Sequence, residues 1–215
     1  MRIPIAKDAW RFFIPLIILS ITAFFINWNI TGIILFILSF AVIGFFRDPR
    51  RTPPNIADSV ISAADGKISH IETVKNSKFP RGEAIRISTF LSVFNVHINR
   101  SPISGEIKYI KHTAGKFLNA LKEKSAFENQ NNEIHIFDGK NIIIVKQISG
   151  AIARRVICSK NEGDYVEKGE RIGLIRFGSR TDVFVPTDTD IRVKVGSKVI
   201  GGKTVLGILQ NNKES

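Results

Sequence analysis

Two apolar runs without a single charge, Phe12 to Ile26 and Ile30 to Phe46, stand near the start of this chain and are separated only by Asn27-Trp28-Asn29. Segments this apolar need a core or a lipid phase around them, and two in series with so short a link make a helical hairpin. Each run falls a little short of the roughly 20 residues that span a hydrocarbon layer, so bilayer thinning, interfacial tryptophans or a re-entrant path must make up the difference. Trp10 and Trp28 stand where interfacial aromatic residues belong. Arg2, Lys7 and Arg11 precede the first run and Arg47, Arg50 and Arg51 follow the second, which puts both ends on the cytoplasmic side of the cell membrane. A cleaved leader fits less well, because a second apolar run follows and no small-residue cleavage pattern is present. The sequence thus divides into a membrane-anchoring hairpin, residues 1–46, and a remainder, residues 47–215, on the cytoplasmic side.

Phe46-Arg47-Asp48-Pro49-Arg50-Arg51-Thr52-Pro53-Pro54 stops the second helix with prolines and sets its arginines at headgroup height. Beyond it the hydrophobic period changes from helical to alternating. Val60 to Ala63, Ile68 to Ile71, Ala84 to Leu91 and Glu106 to His112 read as short strands between Gly, Pro and Asn turns. Ile134 to Val145 reads as a hairpin around Asp138-Gly139. Phe94 to Asn99 also alternates, which aligns Phe94, Val96 and Ile98 on one face and sends His97 into a polar row with Asn95 and Asn99. Gly115 to Lys124 has helical spacing through Phe117, Leu118 and Leu121, and Glu128 to Glu133 reads as a polar loop. Gly163 to Gly169 is echoed in outline by Gly196 to Gly201, the turn pattern of flattened sandwiches of the lipoyl or biotinyl carrier type. The expected fold is mostly β, a sandwich or barrel-sandwich-like domain with a short helix, preceded by the hydrophobic helical hairpin.

Charge and cysteine use narrow the partners. The chain carries a formal +12, and its first 46 residues hold only Arg2, Lys7 and Arg11 against Asp8, so the excess lies in the β-rich part. With no aromatic-rich basic motif beside it, this charge suits an anionic membrane surface and not nucleic acid. Cys158 is the only cysteine, which excludes an internal disulfide and any multi-cysteine metal site and makes it a core thiol. His70, His112 and His135 have no metal-ligand spacing, and no metal is expected.

Arg176-Phe177-Gly178-Ser179-Arg180 carries the chemistry. Glycine lets its carbonyl be approached closely, and the Ser179 hydroxyl stands next to that carbonyl. Attack of the hydroxyl converts the amide to an ester, β-elimination splits the ester, and the resulting dehydroalanine hydrolyses to a pyruvoyl group. Gly-Ser is equally a common strand-end turn, so the dipeptide alone leaves both readings open.

Six stretches in order resemble the short, membrane-associated form of the phosphatidylserine decarboxylase family. They are Phe45-Phe46-Arg47-Asp48-Pro49; Ala63-Ala64-Asp65-Gly66; Phe90 to Pro102 through Val96-His97; His112-Thr113-Ala114-Gly115-Lys116-Phe117; Ala153-Arg154-Arg155; and Gly173 to Arg180. The resemblance implies a proenzyme that cuts between Gly178 and Ser179 into residues 1–178 and 179–215, which stay associated, with Ser179 becoming the pyruvoyl cofactor. It implies that His97 and Asp65 complete a Ser-His-Asp relay for that single cleavage. The mature enzyme would hold phosphatidylserine through a Schiff base and release carbon dioxide and phosphatidylethanolamine, the Cα proton coming from either His97 or a solvent relay. Arg100, Arg154 and Arg155 are candidate headgroup contacts under the same resemblance. The chain departs from the family at Glu128-Asn129-Gln130-Asn131, where the family often reads Glu-Asn-Glu-Arg, and Phe94 stands near an additional histidine of longer bacterial relatives.

Two other readings compete. A non-enzymatic membrane adaptor with a lipoyl-like sandwich explains the hairpin and the glycine turns but gives Asp65, His97 and Gly178-Ser179 no common purpose. A serine hydrolase acting on an external ester lacks the Gly-X-Ser-X-Gly elbow.

Overall fold

A computed structural model describes residues 4–120, 124–151, 155–176 and 179–210. It divides into two compact units, Met1–Arg50 and Arg51–Ser215.

The first unit is a helical hairpin of α1 (Trp10–Phe25) and α2 (Asn29–Phe45). Asn27 turns the chain in the left-handed region, and the Trp28 N–H closes the turn on the Ala23 carbonyl at 2.8 Å. The helices meet through small residues. The Ser20 hydroxyl donates to the Gly32 carbonyl at 2.8 Å, and a Cβ on Gly32 would lie 2.9 Å from the Phe24 ring. Backbone bonds from Ala6 to the Phe46 carbonyl and from Asp48 to the Pro4 carbonyl tie the open end. Ile18, Ile30, Ile37 and Phe40 are all more than half exposed, apolar side chains of the kind that call for a lipid or protein covering. Lys7–Phe25 is long and apolar enough to cross a membrane, whereas Asn29–Phe45 is shorter.

The second unit is mostly β, as expected. Its strands are β1 (Ser59–Ile61), β2 (Gly66–Lys75), β3 (Glu83–Leu91), β4 (Ile98–Arg100), β5 (Gly105–Thr113), β6 (Asn131–Phe137) and β7 (Ile142–Ile148). There follow β8 (Val156–Cys158), β9 (Tyr165–Val166), β10 (Arg171–Ile175), β11 (Ser179–Val185), β12 (Asp190–Ile191), β13 (Lys198–Val199) and β14 (Val205–Ile208), with one short helix, α3 (Ser125–Glu128), before β6. An eight-stranded sheet runs in the order β13-β2-β3-β11-β7-β6-β5-β9, and two three-stranded sheets, β1-β14-β12 and β4-β10-β8, accompany it. Alternation gives each strand of the large sheet one core face. Val183 and Val185 of β11, Val145 of β7, Ile134 and Ile136 of β6 and Ile87 of β3 share a buried cluster with Val60, Ile172 and Leu206 from the small sheets. Each such side chain contributes about 1.5–3 kcal/mol by burial.

Several local expectations change. Phe94 to Val96 is not strand: the Asn95 side chain accepts hydrogen bonds from the Ser92 N–H (2.9 Å) and hydroxyl (2.8 Å), closing a turn that leaves Phe94 84% exposed, and the strand begins only at Ile98. Of the helix expected over 115–124, residues 115–119 are not helical and residues 121–123 lie outside the described residues. The Asn129 side chain bonds both the N–H and the carbonyl of Leu118 at 2.8 Å, and Lys116 pairs through its backbone with Glu128 and Gln130. The polar loop expected at 128–133 yields its last three residues to β6, whose asparagines turn inward into a polar network. Arg51 is nearly buried, its side chain 6% exposed, and forks onto Asp65.

Candidate active site

Ser179 opens β11 opposite Leu91, the last residue of β3, and is fully buried. Its hydroxyl has no hydrogen-bond partner among the described residues. A buried hydroxyl left unbonded is uncommon, because it gives up water without a replacement. Gly178, the other half of the expected cleavage site, lies outside the described residues.

The backbone register carries Asp65 and His97 to this same end of the sheet. On the other side of β3, Lys67 pairs with Phe90, so Asp65 lies just before the first residue of β2, level with the end of β3. Gly66 permits the approach, since a Cβ there would lie 2.0 Å from the Phe90 carbonyl oxygen. The segment before Asp65 runs beside β4, with the Ile61 N–H on the Pro102 carbonyl and the Arg100 N–H on the Ala63 carbonyl. His97 immediately precedes β4 and is fully buried, and its carbonyl accepts from the Ile175 N–H at 3.1 Å, four residues ahead of Ser179.

The Asp65 carboxylate receives the Arg51 fork, one arm at 2.7 Å, and the Gly201 N–H at 2.8 Å. A planar guanidinium matched to both carboxylate oxygens fixes the carboxylate strongly. Arg100 is buried, and its guanidinium donates to the Gly169 carbonyl at 3.0 Å, so it braces the fold. Arg155 is exposed, and Arg154 lies outside the described residues.

Sequence reading missed a chain of side-chain hydrogen bonds behind the site. Asn99, two residues after His97, donates to Thr181 Oγ1, two residues after Ser179, at 3.0 Å. Gln147 donates to Asn99 Oδ1 at 2.7 Å and accepts from Asn132 at 3.2 Å, and Asn132 Oδ1 meets His112 Nδ1 at 2.6 Å. The amides all donate in one direction, so each bond polarises the next. Gly173 leaves room for it, since a Cβ there would come 2.6 Å from the Gln147 amide nitrogen. The available signal was the set of polar residues at inward strand positions: Asn99, Asn132, Gln147 and Thr181. Gln147→Leu, which keeps the volume, strands two buried amides and is expected to cost about 1–3 kcal/mol per orphaned group, read as a lowered midpoint in thermal unfolding.

On the outer face of the same sheet, fully buried Arg180 forks onto Asp182 at 2.6 and 2.9 Å and donates to the Ser88 hydroxyl at 2.9 Å. An Arg-X-Asp step on a strand gives this pair a common face and anchors β11 directly after Ser179. Beside it, burial pushes the Lys146 ammonium down, opposed by the Glu133 and Asp182 carboxylates. Burial likewise pushes the Cys158 thiol up, which keeps it protonated at neutral pH and suits a packing role. Among the described residues, no cluster of three or more His, Cys, Asp or Glu could hold a metal ion.

The model of the family described as phosphatidylserine decarboxylase matches residues 38–207 of this chain. A phosphatidylserine decarboxylase proenzyme of Symbiobacterium thermophilum is 40% identical over 211 residues, covering 97% of this chain and 98% of that protein. Proenzymes of the same description from Wolbachia pipientis wMel (42% identical, 98% of this chain and 93% of that protein) and Gluconobacter oxydans (49% identical, 77% and 75%) are similarly close. Matches of this breadth define the class first: the chain is a decarboxylase, a carboxy-lyase, and not a non-enzymatic adaptor. It belongs to the phosphatidylserine decarboxylase family.

Proposed function

We propose that this chain is the precursor of a pyruvoyl-dependent phosphatidylserine decarboxylase, activated by its own cleavage between Gly178 and Ser179. The observation that carries the reading is the convergence of Asp65, His97 and Ser179 on one end of the sheet, with the Ser179 hydroxyl buried and unbonded among the described residues. That hydroxyl is the atom from which the group would be made, so the residues present fit it.

In self-cleavage, His97 takes the Ser179 Oγ proton as the oxygen attacks the Gly178 carbonyl carbon. The amide becomes an ester. Elimination then moves the Ser179 Cα proton to a base and releases the Gly178 carboxylate, and hydrolysis of the new terminus expels ammonia and leaves the ketone. Asp65, its carboxylate oriented by Arg51 and Gly201, would hold the His97 tautomer and stabilise the imidazolium that forms. Residues 1–178 and 179–215 remain together because β11 is paired on both sides, with β3 and β7.

The pyruvoyl group supplies an electron sink that lets a substrate carboxylate leave as carbon dioxide. His97, released from the cleavage, returns a proton to the substrate Cα. Arg155 suits a headgroup contact by its exposure. The apolar hairpin anchors the chain in the cell membrane with the second unit on the cytoplasmic side, in keeping with its exposed apolar side chains and with the arginines after α2.

The test is decarboxylation itself. Purified chain given phosphatidylserine labelled in the serine carboxyl should release labelled carbon dioxide and phosphatidylethanolamine in equal amounts. Fully processed chain that releases neither would overturn the substrate assignment.

A further inference from the structure

Antiparallel pairing brings the end of β3 and the start of β11 to one edge of the large sheet, together with the end of β7, the start of β6 and the end of β5. That edge is the one that holds Ser179. Its loops also carry exposed apolar side chains. Phe94 is 84% exposed and Val93 39%, at the tip of the turn that Ser92 and Asn95 lock, and Phe117 is 41% exposed on a neighbouring loop. Exposed Lys116, Lys124 and Arg155 lie on segments at the same end, the two lysines sharing the single carboxylate of Glu128. The opposite end exposes both signs, Asp138, Glu162 and Glu167 together with Lys78, Arg81 and Lys140, so the two ends differ in their exposed aromatic tips. Apolar tips on the same end as exposed cations suit a surface that is anionic outside and apolar within, which is a bilayer and not a protein core.

The proposed chemistry makes the same demand independently, and to that extent the docking rests on the phosphatidylserine decarboxylase reading. A phospholipid keeps its acyl chains in the membrane while its headgroup reacts, so the buried Ser179 has to come within a headgroup's reach of the bilayer surface. Val93 and Phe94 lie two and three residues beyond Leu91, the partner of Ser179. At no more than ~3.6 Å per residue, the tip is about 10 Å along the chain from that pairing. We propose that this edge of the second unit docks on the anionic bilayer surface, with Phe94 and Val93 entering at the boundary between headgroups and acyl chains and Lys116, Lys124 and Arg155 resting on lipid phosphates. The substrate then reaches Ser179 without leaving the membrane.

The test uses the full chain in nanodiscs and two substrates: long-chain phosphatidylserine in the disc and water-soluble dibutyryl phosphatidylserine from solution. Phe94→Glu should lower the ratio of long-chain to short-chain turnover about tenfold or more, the scale of one buried aromatic side chain, and Phe94→Leu should restore it. A fluorophore on the thiol of Phe94→Cys, in a Cys158→Ser background, should shift to the blue in discs containing phosphatidylserine and be quenched by spin-labelled lipid. Equal losses on both substrates would make Phe94 part of the pocket wall and overturn the proposal. An unchanged ratio or a label that stays in water would overturn it as well, and so would crosslinking of the Phe94→Cys thiol to a second copy in place of lipid quenching. If wild type processes neither substrate, the functional reading fails, while the label still decides the docking.

Discussion

Ser179→Ala should yield one uncut chain with no decarboxylase activity, and the chain should remain folded. The substitution removes a single oxygen from a fully buried position and leaves β11 paired with β3 and β7 through its backbone. Because the hydroxyl has no hydrogen-bond partner among the described residues, its loss strands no other described group, and stability should stay within about 1 kcal/mol of wild type. The same oxygen is the nucleophile of self-cleavage and the source of the ketone, so activity should fall below detection. Intact mass, unfolding midpoint and carbon dioxide release on the same sample check all three. Cleavage persisting in Ser179→Ala would place the cut elsewhere.

His97→Gln is the second large effect. Glutamine keeps hydrogen-bonding capacity and much of the volume but cannot accept and return a proton near neutral pH. Processing should slow about 10²–10⁴-fold, the range for loss of a positioned general base, and any chain that does become processed should also turn over slowly. Asn99→Leu separates this from a packing defect: it breaks the bond to Thr181 and lowers stability, yet leaves the imidazole in place. Its processing should therefore fall far less than that of His97→Gln. A time course of cleavage by intact mass, set against unfolding midpoints, distinguishes the two. Equal slowing in both would assign His97 a structural role.

The parts legible in the sequence were those written in contiguous residues. The charge-free runs gave the helices to within two residues at each boundary, and Asp138-Gly139 marked the β6–β7 hairpin, where Gly139 takes a positive φ. The glycine echo near the C-terminus also appears as turns, with positive φ at Gly163, Gly169 and Gly196. Errors arose where a distant side chain overrode a local pattern. Phe117, Leu118 and Leu121 have helical spacing, but Asn129 supplies Leu118 with both halves of a strand-like pairing, and no window around Leu118 contains Asn129's geometry. Alternation through Phe94 to Asn99 was likewise overridden by the Asn95 cap on Ser92. At the site, the grouping of Asp65, His97 and Ser179 rests on family resemblance and could not be read from spacing, since they lie on or beside different strands, β2, β4 and β11. The pairing of Arg51 with Asp65 was not readable, because the local context of Arg51 is basic and proline-rich and Asp65 lies beyond β1. The amide chain from Thr181 to His112 spans five strands and was invisible for the same reason.

The most direct test of self-processing is the intact mass of the wild-type chain purified in detergent, before and after reaction with a hydrazide. Self-processing predicts two products dividing between Gly178 and Ser179, with the smaller one carrying an N-terminal ketone that gains the hydrazide mass. A single unreactive chain of 24.0 kDa that nevertheless decarboxylates phosphatidylserine would contradict it.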